Sequence, residues 1–340
     1  MSAAISTRSV PRAFVWRRLH SLTGLWFLLF LMEHLFTNSQ AAIFFGTKAE
    51  WFVNSVGFLH SLPYLPIIEL VLLGVPMGIH IFWGIRYLMT SKSNVVSHQG
   101  KTPSIKKERN KAYSMQRITS WVILFGLICH VVQMRFIMYP VKIFMGNYSQ
   151  AFGKYTVDAG FYKVCDELGV FIYDERAIES EKQALARLKS KITLVDQRFE
   201  EINTSKSVKN NVYNQEMNEL YKNINDYQEK VKFVGGLTHF KIKPGEVIVG
   251  SRKSADLILL NVREAFQSFW MCTIYTLFVL ASVIHGCNGF WTFCITWGLL
   301  LSKKAQSTWV SFAYGLAFIL IALGMLSIWG SYFFSAGYFK

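Results

Sequence analysis

Val283-Ile284-His285-Gly286-Cys287-Asn288-Gly289-Phe290-Trp291 sits inside an apolar run from Phe266 to Leu300, long enough to cross a bilayer. A histidine at bilayer depth is costly, so it is by default a functional candidate. Three further histidines, His34, His80 and His130, each lie in an apolar run of their own. Four such side chains on four separate helices point to cofactors held between helices.

The rest of the chain fits a membrane protein. Of its 340 residues 52% are hydrophobic and 16% aromatic, and the sequence predicts five spans, at about 19–37, 66–89, 115–139, 266–300 and 308–335. The first four carry the histidines; the fifth carries none. The net charge of +15 could by itself suggest nucleic acid, but its distribution is better explained by a lipid bilayer. Of 36 Lys and Arg, 18 lie in residues 141–262. Fourteen of the other 18 sit at the N-terminus (Arg8, Arg12, Arg17, Arg18), around the second connection (Arg86, Lys92, Lys101, Lys106, Lys107, Arg109, Lys111, Arg117) and in the last turn (Lys303, Lys304). Only Lys48, Arg135, Arg263 and Lys340 belong to the opposite side. The positive-inside rule therefore predicts a cytoplasmic N-terminus and an outer C-terminus. The first span lacks a small-residue cleavage site and ends in Glu33-His34, so it is expected to be retained rather than removed as a signal peptide. The aromatic, weakly charged connection from Asn38 to Leu65 is expected along the outer interface.

Residues 141–262 break the pattern, with 18 basic and 16 acidic residues. Leu185, Leu188, Ile192, Val195, Phe199 and Ile202 alternate spacings of three and four, as do Tyr213, Met217, Leu220, Ile224, Tyr227 and Val231. Two heptad helices joined through Thr204-Ser205-Lys206-Ser207 read as a coiled-coil hairpin on the outer side. Lys243-Pro244-Gly245-Glu246 followed by Val247-Ile248-Val249 reads as a turn and a short strand. The insert serves either as a spacer or as a dock for an unknown outer partner. The expected fold is thus an all-α membrane protein: five transmembrane helices, with a coiled-coil hairpin inserted between the third and fourth.

A single histidine in a membrane helix can simply hydrogen-bond a neighbour. The spacing here adds more. Gly84 follows His80 by four residues, Gly289 follows His285 by four, and Gly126 precedes His130 by four, leaving a bare patch one turn from each ring for a flat macrocycle. Glycine also serves close helix packing. His20 and His34 share one face of the first helix, ~21 Å apart. Glu69 precedes His80 by almost three turns, on the same face and ~16 Å nearer the outer surface. It is either a buried structural carboxyl or a proton acceptor beside a cofactor path. By depth His34 and His130 are outer and His80 is inner. His285 matches His80 when counted from Glu264 but not when counted from Lys303, so its pairing with His80 rests on elimination. Two neutral imidazoles facing each other fill both axial positions of a haem iron, and such a haem carries electrons rather than binding oxygen.

Arg17-Arg18-Leu19-His20-Ser21-Leu22, Gln116-Arg117-Ile118-Thr119 with His130 and Arg135, and His285-x-x-Asn288-Gly289-x-Trp291 resemble the cytochrome b subunit of bacterial succinate:quinone oxidoreductases, of the single-chain, five-helix, two-haem type. The resemblance covers residues 12–140 and 264–335. It implies two haem b groups in the bacterial cytoplasmic membrane and a menaquinone-type site near the outer one. It further implies cytoplasmic docking of a flavoprotein and an iron–sulfur subunit. Glu69 then falls near the quinone region, and His20 with Arg17 and Arg18 near the inner haem as propionate partners or docking residues. The insert departs from the family pattern. No dinucleotide motif or iron–sulfur cysteine cluster occurs, so no dicarboxylate site is expected on this chain. A fumarate reductase running in the opposite direction shares these features. Membrane subunits of formate dehydrogenase or nitrate reductase share the ligation but not the motif order. A haem-free transporter predicts internal repeats, which are not evident.

Overall fold

A computed structural model describes residues 11–42, 49–91, 108–204 and 210–335. Arg8, Lys48, Lys92, Lys101, Lys106, Lys107, Lys340 and the hairpin tip at 205–207 lie outside the described residues. The chain divides into two compact units, Met1–Gln133 with Phe266–Phe334, and Met134–Ala265 with Ser335–Lys340.

The first unit contains five helices long and apolar enough to cross a membrane: α1 (Arg12–Ser39), α3 (Leu65–Thr90), α4 (Asn110–Ile137), α9 (Phe269–Thr296) and α10 (Lys303–Phe333). A short helix, α2 (Glu50–Ser61), buries Phe52, Val53 and Val56 and leaves Trp51 and Phe58 outward. This amphipathic division of aromatics suits a membrane interface. At the centre are α1 and α9. Helix α1 packs on α3, α9 and α10, while α9 packs on α1, α4 and α10. On α9 the buried residues Cys272, Tyr275, Val279, Val283 and Cys287 recur every three or four positions, which is one face of a helix. Gly286 lets α1 close in, since a Cβ there would meet Leu28 at 3.1 Å. Outward-facing Trp270, Leu277, Phe125 and Phe318 are all more than half exposed, as expected of surface solvated by lipid chains.

Two features differ from the sequence expectation. Helix α9 ends at Thr296 rather than near residue 300, because Trp297 and Gly298 turn the chain, the latter with φ +76°. Arg18 donates to the Thr296 carbonyl and lies over the Trp297 ring, supplying a cation to the negative end of the helix. Helix α3 is not a continuous α-helix: Leu70–Gly74 is a π segment. Its wider turn changes the phase of Glu69 relative to His80 from that of a continuous α-helix. Trp26 on α1 donates to the Leu72 carbonyl at 2.7 Å, satisfying an acceptor within the π segment. Further π segments occur at Val132–Ile137 and Leu326–Gly330.

The second unit is mixed rather than purely helical. Strands β1 (Val141–Met145), β2 (Tyr148–Thr156), β3 (Phe171–Tyr173) and β4 (Glu246–Ser251) form an antiparallel sheet in the order β1-β2-β4-β3. Val141 pairs with Phe152, Ala151 with Ser251, and Phe171 with Gly250. The turn at Gly245 (φ +85°) and the strand after it occupy the positions the sequence suggests. Helices α5 (Phe161–Leu168), α6 (Glu175–Thr204), α7 (Asn210–Thr238) and α8 (Ser254–Ala265) complete the unit. The heptad helices α6 and α7 pack on each other. The core joins Phe152, Ile178, Leu237 and Ile248 from sheet and hairpin base. Helix α8 is bound to β2: Arg263, almost fully buried, reaches both carboxylate oxygens of Asp158 at 3.1 Å, and Glu264 accepts from the backbone and hydroxyl of Thr156.

Candidate functional site

The four histidines of the apolar runs meet in two pairs. His34 on α1 faces His130 on α4 with ring centroids 5.9 Å apart and planes crossed at 84°. His80 on α3 faces His285 on α9 at 6.3 Å and 75°. With α9 ending at Thr296, His285 stands 11 residues from that end and His80 stands 10 from Thr90. The depth left open in the sequence is thereby equal, at ~15–17 Å from the same end of the unit. His34 is 5 residues from Ser39 and His130 is 7 from Ile137, near the opposite end. Two imidazole nitrogens at ~2.0 Å on either side of one metal place their ring centroids roughly 6 Å apart.

Hydrogen bonds decide which ring nitrogen is available. The Thr23 hydroxyl lies 3.0 and 2.9 Å from the Leu19 and His20 carbonyls, so its proton is committed and its oxygen can accept from His80 Nδ1, 3.1 Å away. The His20 carbonyl is a second acceptor for that nitrogen at 3.2 Å. Thr119 repeats the device, donating to the Met115 carbonyl at 2.7 Å and facing His285 Nδ1 at 3.3 Å. Tyr275 donates to Gln133 Oε1 at 2.9 Å and faces His130 Nδ1 at 3.2 Å. In all three cases Nδ1 is assigned the proton and Nε2 keeps a free lone pair, the tautomer a metal ligand needs. Among the described residues no three His, Cys, Asp or Glu side chains cluster around a metal position. Two-ligand sites of this kind suit an iron whose remaining four ligands belong to a macrocycle.

The similarity found in sequence is to a succinate dehydrogenase cytochrome b558 subunit. That relative, from Bacillus subtilis (strain 168), is 31% identical over 125 residues, 36% of this chain and 56% of its own length. The present chain thus matches about half of that relative. No family model matches the chain, and no solved structure matches it.

The remaining candidate residues divide. Asn288 donates to Gln116 Oε1 at 2.6 Å and to the Ala112 carbonyl at 3.1 Å, so two of the quoted motifs tie α9 to α4 beside His285. Gly289 stays open, its nearest neighbour being Gln116 Nε2 at 3.9 Å. Gly84 is faced by His20 at 3.5 Å and Gly126 by the Phe278 ring, so both patches receive a side chain from a neighbouring helix. Gly24 receives the His80 ring in turn, at 3.1 Å. His20 stacks on His80 with centroids 4.1 Å apart and planes at 14°, a parallel contact unlike the crossed pairs. Arg17 is exposed, and its neighbour Arg18 is engaged at the end of α9. Glu69 is half-buried at the start of the π segment. Thr23 and Tyr275 were not legible as site residues, because nothing in their spacing separates them from ordinary helix polar groups. Thr119 belongs to a quoted motif, but its role there depends on α9.

Proposed function

We propose that this chain is the membrane-anchoring cytochrome b subunit of a succinate:quinone oxidoreductase, holding two haem b groups. The observation that carries the proposal is the pair of crossed histidine couples, spaced for two axial ligands, with Nδ1 of three rings already committed. The 31% identity to a succinate dehydrogenase cytochrome b558 subunit supports it independently.

In this reading His80 and His285 would hold the inner haem, and His34 and His130 the outer one. When bound, the haems supply one-electron carriage; the chain supplies ligation, spacing and a low dielectric. Thr23, Thr119 and Tyr275 orient the imidazoles and raise their basicity. Asn288 and Gln116 lock α9 against α4, so that the His285 ring keeps its direction. Gly84 and Gly126 let the His20 and Phe278 rings approach the helix backbones, and Gly289 leaves a bare patch one turn from His285 for the flat macrocycle. Arg17 stays available on the cytoplasmic face for the iron–sulfur and flavoprotein partners, and the positive-inside pattern sets that orientation. Glu69 is the proton-accepting group for a menaquinone-type substrate on the outer side, acting at its carboxylate. The relative's name, a succinate dehydrogenase subunit, favours succinate oxidation on the cytoplasmic side with quinone as the electron acceptor. The second unit lies on the outer side as a spacer or dock.

A reduced-minus-oxidised optical spectrum of the purified chain, with a haem count, tests the proposal. Two b-type haems per chain are expected. Absence of b-type bands overturns the function, and a single haem overturns the paired arrangement.

A further inference from the structure

Helix α7 carries more apolar surface than its neighbours cover. Toward α6 and the sheet it buries Leu220, Asn223, Val234 and Leu237. A second stripe runs beside that one: Met217, Tyr221, Ile224, Gln228 and Val231, at spacings of four, three, four and three, the repeat of a coiled-coil face. It is left open, with Tyr221 59% and Val231 41% exposed. Ile224 and Gln228 line a groove along the hairpin together with Lys189, Ile192 and Thr193 of α6. A mostly apolar stripe ~21 Å long on an otherwise charged hairpin marks an interaction surface.

The pattern along the groove identifies the partner. The α7 stripe reads alike in both directions about Ile224, with Met217 and Val231 seven residues to either side. On the groove flank of α6 the charge changes sign along the helix. Lys182 and Lys189 stand toward the base of the hairpin and Asp196 and Glu200 toward its tip, all four exposed. These charges balance about residue 192, and Ile192 lines the same groove as Ile224. Both helices are thus self-complementary about one level, which is what a two-fold contact between identical chains requires. We propose that this face docks on the same face of a second copy of the chain, the two hairpins antiparallel, with the two-fold axis at Ile224. The α7 stripes then meet each other in a four-helix arrangement, and Lys189 and Lys182 of each copy face Asp196 and Glu200 of the other. Lys182 also meets Glu179 of its own helix at 3.4 Å, so the inner pair, Lys189 with Asp196, carries the charge contact. An axis along the hairpin would instead set Lys189 against the apolar stripe. The contact is independent of the haem assignment, and it gives the second unit a partner of defined chemistry.

The test uses the full chain in detergent. Its mass by light scattering, corrected for detergent, is expected to be that of a dimer that dissociates on dilution. Lys189→Glu and Asp196→Lys change exposed side chains only, and each turns two attractions across the axis into repulsions. Each should weaken the dimer about ten- to a hundredfold. The two together restore opposite charges across the axis and should restore the dimer, which damage to the hairpin itself would not allow. With the exposed native thiol removed by Cys129→Ser, Ile224→Cys should give a disulfide-linked dimer under mild oxidation. Val231→Cys should do so only when Met217→Cys is added. A chain monomeric at every concentration, a dimer that both single reversals leave intact, or a double reversal that fails to rescue overturns the proposal. So does cross-linking through Val231→Cys alone but not through Ile224→Cys, or a different protein found on this face in place of the second copy.

Discussion

Tyr275→Phe separates the hydrogen-bond pattern around His130 from mere packing. The substitution deletes one oxygen and keeps the ring, which packs on His130 (5.8 Å), Phe266 (5.1 Å) and Phe278 (6.3 Å), so no cavity opens. It removes the oxygen facing His130 Nδ1 at 3.2 Å. Tyr275 is only 8% exposed, so water cannot readily replace the lost acceptor. Leaving a buried N–H unpaired costs ~1–3 kcal/mol. Since about 1.4 kcal/mol is a factor of ten, the outer haem should be held on the order of 10–100-fold more weakly, in line with other partners of metal-bound histidines. The assay is haem transfer from the detergent-purified chain to an excess of apomyoglobin, followed at two wavelengths that separate the haems. Faster loss of one haem, with the second unchanged, is expected. Wild-type loss of both would refute the role given to the hydroxyl, and selective loss of the haem that depends on His80 would refute the pairing.

Four further outcomes follow from the same structure. His80→Ala and His285→Ala should each deplete the same haem; depletion of haems with different potentials would break the pair. Glu69→Gln should slow quinone reduction while leaving both haems in place, and unchanged turnover would make the carboxyl structural. Asp158→Leu removes the carboxylate that Nη2 of the buried Arg263 reaches and should destabilise the second unit by about 3–5 kcal/mol, whereas Asp158→Leu with Arg263→Met should cost less; thermal unfolding of the full chain in detergent compares them. Burial raises the Glu264 carboxyl above its ordinary value, against the opposing hydrogen bonds from Thr156. The folded state therefore binds that proton more tightly, and its contribution falls as pH rises from the ordinary carboxylate range through the raised value. Glu264→Gln should flatten that part of the profile, measured by hydrogen exchange around Thr156 between pH 4 and pH 8 on the order of hours; an identical slope would exclude Glu264 as its source.

Which features were legible in the sequence depended on how local their physics is. Twenty-residue apolar runs must become helices in lipid, because every backbone polar group has to be satisfied within the segment. The five spans were therefore readable, and so was the heptad repeat of α6 and α7. The strands β1, β2 and β3 were not. They lie in a polar insert, and the pairing of β2 and β3 with β4 crosses long stretches of chain. The phase between Glu69 and His80 is not readable from spacing, because a π segment leaves no distinct hydropathy signature at Leu70–Gly74.

His285 shows the same division. The sequence determined that it lies in an apolar helix, and the charge pattern suggested which end of that helix faces the cytoplasm. Its depth depended on where the helix stops. That was decided by the turn at Gly298 and by Arg18 reaching from α1 to the Thr296 carbonyl. Its partner and its free nitrogen were decided by side chains that α3 and α4 bring to it, His80 at 6.3 Å and Thr119 at 3.3 Å. A residue's place along a membrane helix is a property of local hydropathy and backbone hydrogen bonding. The direction and protonation of its side chain depend on groups remote in sequence, which only helix packing brings within hydrogen-bonding distance.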